Sequence, residues 1–157
     1  MHLRNAGEAD VDDLAKLWYD TWHETHAPLL PPELTRHRTL DSFRERLHSH
    51  LTHTRVAGSP DKPVGFCIVK GDELYQLFIS PDVRGTGVAA ELLADAEARL
   101  IAAGVETAWL ACALGNWRAA RFYEKFGWQR AGSMIYDAEA SNGTMPIKVW
   151  RFQKSLR

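Results

Sequence analysis

The segment Arg84-Gly85-Thr86-Gly87-Val88-Ala89 joins two strongly patterned stretches of the chain. Upstream, residues 73–80 read as a strand that runs on through Pro81-Asp82-Val83. Downstream, residues 88–103 read as a helix, with Leu92, Leu93, Ala96 and Leu100 on one face and Gly104 as its stop. A helix start presents unpaired N–H groups and the positive end of its dipole. Gly85 and Gly87 let a backbone approach an anion closely. A phosphate or pyrophosphate is therefore a natural ligand here. Taken alone, the loop is equally well a tight strand-to-helix turn that needs glycine for its geometry. A dinucleotide fingerprint is excluded, because the loop follows a late strand and lacks the third glycine. A P-loop is excluded because G-x-x-x-x-G-K-S/T is absent.

Outward from the loop, residues 1–6 predict a short strand. Residues 8–22 predict a helix with Val11, Leu14, Leu17, Trp18 and Trp22 on one face and acidic Glu8, Asp10 and Asp12 in its first turn. Pro28-Leu29-Leu30-Pro31-Pro32 ends that helix, and a second is expected over 40–51. Short strands follow over 54–57 and 64–70, separated by Ser59-Pro60-Asp61-Lys62, and Gly71-Asp72 turns into the strand at 73–80. Residues 107–113 are apolar enough for a buried strand. Asn116 caps a helix ended by Gly127, and two strands, at 129–137 and 147–153, flank Ser141-Asn142-Gly143. The order β-α-α-β-β-β-α-β-α-β-β is that of an α/β (α+β) chain whose mixed sheet carries helices on both faces.

With 157 residues the chain fits a single domain over 1–157. A formal net charge of -1 supplies no bulk basic field, so neither nucleic acid nor an anionic membrane is expected as a partner. Cys67 and Cys112 are too few for a disulfide scaffold and read as buried small hydrophobes in a reduced compartment. Met1-His2-Leu3-Arg4 lacks an apolar signal region, and no apolar run approaches the roughly 20 residues of a membrane span. A soluble, cytoplasmic protein is the expectation.

A second block reads Asn116-Trp117-Arg118-Ala119-Ala120-Arg121-Phe122-Tyr123-Glu124-Lys125-Phe126-Gly127-Trp128. It is similar to the N-x-x-A-x-x-F-Y-x-x-x-G-F/W helix of the GNAT superfamily of N-acetyltransferases. That family's Q/R-x-x-G-x-G/A signature is matched by Arg84, Gly87 and Ala89. The blocks stand in the family order, and the resemblance covers almost the whole chain in element order. It implies a mixed, mostly antiparallel sheet of about six or seven strands, splayed between strands 4 and 5. The implied activity is transfer of an acetyl group from acetyl-CoA to a primary amine of a small molecule or peptide, by direct attack in a ternary complex.

The same resemblance implies roles. The pantetheine arm lies along the backbone of Leu77, Phe78 and Ile79. The pyrophosphate sits on the amides of Arg84, Gly85, Thr86, Gly87, Val88, Ala89 and Ala90. Asn116 is the further pantetheine contact, Lys125 reaches a phosphate, and Tyr123 is the general acid for the leaving thiolate. A free strand N–H near Phe78 or Ile79 faces the developing oxyanion. A core aromatic beside Phe122 and Phe126 is the bland alternative for Tyr123. Some members carry a glutamate five residues before the asparagine; here that position is Ala111, which disfavours the ribosomal-protein class of substrate. Histone-type members carry a glutamate that corresponds to Glu73, which alternation places on the strand face of Tyr75, Leu77 and Ile79. Glu73, acting through a water, is thus the candidate base, against a solvated glutamate after a turn.

Trp18, Trp22, His23, Glu24 and His26 fall where relatives build the acceptor pocket, and Trp22 and Glu24 are the candidate acceptor contacts. His23-Glu24-Thr25-His26 is not H-E-x-x-H, and His48, His50 and His53 lack a companion cluster, so no metal is expected and a solvated helix end is the reading of the latter. The acceptor stays open among polyamines, aminoglycosides, amino acids and protein N-termini. Two other function classes remain: a catalytically inert acyl-CoA sensor, and transfer of another acyl group or to a hydroxyl. The final strands and the loop at residues 138–145 are a candidate homodimer edge.

Overall fold

Alternating apolar residues and two short turns make the middle of the chain a meander. β2 (Thr54–Ser59), β3 (Lys62–Lys70) and β4 (Glu73–Ile79) pair antiparallel in sequence, and β1 (Leu3–Asn5) adds to β2. The structure, a computed structural model, describes residues 2–157, so the first position of the strand expected over 1–6 lies outside the described residues.

α1 (Val11–Thr25) follows a single 3-10 turn whose Asp10 takes the Gly7 N–H at 2.8 Å and a bidentate pair from Arg4. α2 (Pro32–Thr35) is one turn that the sequence did not announce; Pro32 opens it, at a position where an N–H would have no helical partner anyway. α3 (Leu40–Ser49), capped by the Thr39 hydroxyl, is shorter than expected because residues 51–53 tighten into a 3-10 turn. α4 (Val88–Ala102), β5 (Thr107–Ala113) and α5 (Trp117–Lys125) lie close to their expected bounds. β6 (Gln129–Ala140) and β7 (Gly143–Ser155) are longer than expected. The span 138–145 is accordingly the end of a hairpin and not a loop, since Ala140 pairs with Gly143.

All strands form one sheet in the order β1-β2-β3-β4-β5-β7-β6. Among the described residues only β4 and β5 are parallel, and every other pair is antiparallel. One face packs α1 and α3 through Leu14, Trp18, Phe43, Leu47 and Phe66. The other packs α4 and α5 through Leu92, Leu93, Leu100, Ala120, Trp128 and Phe152. Each such fully buried leucine contributes roughly 1.5–3 kcal/mol, which holds the helices against the sheet. No helix among the described residues is long and apolar enough to cross a membrane.

Candidate active site

β4 and β5 share a single register pair, Glu73 with Trp109, reinforced by Trp109 N–H donating to the Asp72 carbonyl at 3.2 Å. Beyond that pair the strands part. The β5-facing edge of β4 therefore offers unpaired backbone groups, which must find a partner other than strand. A cleft of about 740 Å³ opens there, lined along β4 by Leu77, Phe78 and Ile79.

The cleft continues to the start of α4. Gly85 and Gly87 have φ of 77° and 92°, and Gly87 caps the helix. A Cβ at either would meet no atom within 4 Å, so backbone conformation, and not lack of space, calls for glycine. Gly85, Gly87, Ala89 and Ala90 line the cleft. Thr86 does not, and its hydroxyl donates back to the Val83 carbonyl at 2.5 Å. Val88 does not either: its side chain is buried among Leu92 and Leu93, which leaves only its amide for a ligand. Arg84 lines the cleft and holds Glu24 at 2.9 Å.

α5 forms the opposite wall. Asn116 Oδ1 accepts the Ala119 N–H at 3.3 Å, which starts the helix and leaves the amide nitrogen without a partner among the described residues. Arg118, Phe122 and Lys125 recur at helical spacing and all face the cleft. Arg118 went unremarked in the sequence, although its spacing from Lys125 is the signal that marks it. Tyr123 packs on Trp128 and Phe152, its hydroxyl has no partner among the described residues, and burial pushes its pKa up.

Two smaller spaces lie beyond. A crevice of about 80 Å³ between β4 and β5 is lined by Leu77, Phe78, Ala111, Asn116 and Tyr123. Past it, a cavity of about 90 Å³ is lined by Trp18, Trp22, Arg38, Arg46, Tyr75, Tyr136 and Glu139. His26 and Phe78 line all three spaces, with their rings 5.4 Å apart. Burial, and then the nearby Arg38 charge, pull His26 down to about 4, so its imidazole is neutral at neutral pH. Its Nδ1 is buried without a hydrogen-bond partner among the described residues. Arg46 stacks 4.3 Å from the Trp18 ring and donates to the Tyr75 hydroxyl at 2.9 Å. Tyr75 in turn donates to Glu139, whose carboxylate is held down at about 2 first by His50 and also by Tyr75 and Arg46.

Three expectations are corrected. Glu73 does not share a face with Leu77 and Ile79. β3 pairs Ile68 with Gln76 and Val69 with Leu74, so Tyr75 is an extra residue in a bulge, and alternation slips there. Glu73 is buried at 6% exposure instead of solvated, and it accepts the Tyr136 hydroxyl at 2.7 Å. Burial raises its pKa. It lines none of the three spaces; Tyr136 stands between its carboxyl and the inner cavity. Trp22 lines that cavity but Glu24 does not, because two helical residues lie about 200° apart. His50 is not solvated: its ring is 4.7 Å from that of Tyr75, and its Nε2 is 3.5 Å from Glu139.

The model of the acetyltransferase (GNAT) family matches residues 11–128. An uncharacterised N-acetyltransferase of Mycobacterium tuberculosis is 29% identical over 137 residues, which cover 81% of this chain and 88% of that protein. The peptidyl-lysine N-acetyltransferase YjaB of Salmonella typhimurium is 38% identical over 77 residues, 49% of this chain and 50% of that one. Among solved structures, a GCN5-related N-acetyltransferase from Rhodopseudomonas palustris superposes with a TM-score of 0.76 at 22% identity, over 98% of this chain and 94% of that one.

Proposed function

The chain belongs to the GNAT family of acetyltransferases, and from that premise we propose that it moves the acetyl group of acetyl-CoA to a primary amine by direct attack in a ternary complex. The observation that carries this reading is the parting of β4 and β5 after one register pair, with the glycine-capped start of α4 at one end and Tyr123 across from it. The pyrophosphate takes the free amides around Gly85 to Ala90, with Arg84, Arg118 and Lys125 supplying positive charge. Val88 contributes only its backbone, and the Thr86 N–H is already given to the Val83 carbonyl at 3.2 Å. Pantetheine pairs with the open edge at Leu77, Phe78 and Ile79, and the free amide nitrogen of Asn116 faces it. The crevice of about 80 Å³ suits an acetyl group better than a long acyl chain.

The amine nitrogen attacks the thioester carbon, a backbone N–H near Phe78 or Ile79 supports the oxyanion, and the C–S bond breaks. Tyr123 gives the leaving sulfur a hydrogen bond and then its proton, and regains one from solvent. The amine's proton passes to the Tyr136 oxygen as the Tyr136 proton passes to Glu73, which replaces the water in the earlier expectation. The products are an amide and free thiol.

The test pairs calorimetry with CoA and a thiol-release screen across amine classes with acetyl-CoA. Binding plus amine-dependent thiol release is the expected result. Binding with no thiol released by any amine overturns the enzyme reading in favour of an inert acyl-CoA sensor.

A further inference from the structure

Arg38 is 4% exposed, yet among the described residues it has no carboxylate partner. One N–H of its guanidinium donates to the Glu139 backbone carbonyl at 2.5 Å, and its Nε is buried with no hydrogen-bond partner among the described residues. Five donors are available on an arginine, so most of this fork is unspent. The neighbouring carboxylate is already committed: Glu139 takes the Tyr75 hydroxyl, with His50 at 3.5 Å and Arg46 at 3.9 Å. Glu73, behind Tyr136, takes that hydroxyl. A buried cation without a counter-ion is strongly destabilising, so an anion that reaches Arg38 relieves that cost. Arg38 lines the inner cavity beside His26 and Trp22, within the same wall as two more unpartnered polar atoms, Trp18 Nε1 and His26 Nδ1.

We propose that the acceptor is a small amine that carries its own carboxylate, which Arg38 grips in the inner cavity while the amine end points back past His26 toward the crevice. The planar guanidinium fork matches a carboxylate with two parallel hydrogen bonds. At about 90 Å³ the cavity holds a compact molecule such as an α- or ω-amino acid and does not hold a polypeptide. Two buried guanidiniums also favour the neutral amine over the ammonium, which is the form that attacks. A polyamine or a lysine side chain brings only positive charge to a space that already has a surplus of it.

This inference rests on the acetyl-transfer reading, and the experiment separates the two. Thiol release is measured for matched acceptors: an ω-amino acid, its amide, the corresponding alkylamine, and a short lysine peptide. The expected result is a kcat/KM for the acid roughly 10- to 100-fold above that for its amide, as charge-assisted hydrogen bonds supply. In R38Q the ratio of acid to amide collapses, mainly through KM; R38K, which keeps charge and loses the fork, retains part of it. Because the wild-type ratio needs no variant, and because misfolding lowers both substrates together, the outcome does not hinge on how well a buried substitution folds. An amide, alkylamine or lysine peptide used as well as the acid overturns the inference and leaves acetyl transfer standing, as does an unchanged ratio in R38Q. Thiol release that no acceptor accelerates overturns both.

Discussion

On one side of the β4–β5 opening lies a cleft of about 740 Å³ rimmed by Arg84, Arg118 and Lys125; on the other lies a cavity of about 90 Å³ that encloses Arg38, Arg46 and Glu139. Both are positively charged, but in different ways. The cleft's cations are at the surface, where water screens them and a large anion can lie against several at once. Its most specific groups are backbone: a strand edge, and the first turn of a helix. The cavity also touches the parted strands, at Gln76, Phe78, Ala111 and Ala113, but its charge lies on side chains, and Arg38 and Arg46 are buried out of water, where one unpaired charge weighs heavily. The first region is suited to a long, invariant ligand, and the second to discrimination between small ones. Changes in the cleft should therefore affect every acceptor alike, while changes in the cavity should alter the ranking of acceptors.

The largest expected effect is at the junction. Tyr123→Phe should lower kcat by about 100-fold or more with every acceptor, near the lower end of the range for general acids, because a phenol whose pKa is raised by burial gives up its proton reluctantly. Calorimetry should find CoA affinity little changed. A loss confined to some acceptors would break the distinction between the regions.

Gly87→Ala is next. It forces a side chain onto φ of 92°, at a cost of roughly 1–2 kcal/mol, although the Cβ itself has room. The Kd for CoA should rise by about 5- to 30-fold. Unaltered affinity would remove the left-handed cap from the pyrophosphate site. Glu73→Gln acts from the other side of the opening. As a base, Glu73 must be ionised, so kcat/KM should climb as pH rises through a value above the ordinary carboxylate range, since burial raises it. The variant should lose that climb and about tenfold in rate, less than a base in direct contact supplies. An unchanged pH–rate profile would falsify the Glu73 assignment and leave His26 as the proton acceptor nearest the crevice.

The difference between the regions also explains what could be read without coordinates. The cleft is built from runs that are contiguous in the chain, residues 84–90 and 116–125, so glycine spacing and helical period were enough to find it. Arg118 was within reach of the same argument. The cavity is gathered from α1, α2, α3 and the connections between them, and from β4, β5, β6 and β7. No local pattern links Arg38 to Glu139, 101 residues away, because their meeting depends on how far the last hairpin extends. The bulge at Tyr75 hid in the same way: an alternating run carries no mark of the extra residue, and the face assigned to Glu73 slipped with it. Glu24 faces away from the cavity for a simpler reason: two residues on from Trp22, it lies about 200° round the helix axis and pairs with Arg84 instead.

The smallest effect separates the regions most cleanly. Glu139 belongs to the cavity alone, and its carboxyl is drawn from 4.5 to about 2, first by His50 and also by Tyr75 and Arg46. The full shift corresponds to about 3 kcal/mol, but the side chain is 35% exposed, and screening reduces this to about 1 kcal/mol. Because the folded pKa lies below the unfolded one, this stability is present above about pH 4.5 and is lost as pH falls toward 2. Glu139→Gln should therefore unfold at lower denaturant by about 1 kcal/mol at neutral pH, with the gap to wild type narrowing once pH drops below 4.5. CoA affinity should be untouched, since Tyr75, His50, Arg46 and Arg38, which Glu139 contacts, all lie outside the cleft. A variant that weakened CoA binding as much as it weakened the fold would mean that the last hairpin supports both spaces, and the cavity could no longer be treated as a separate recognition unit.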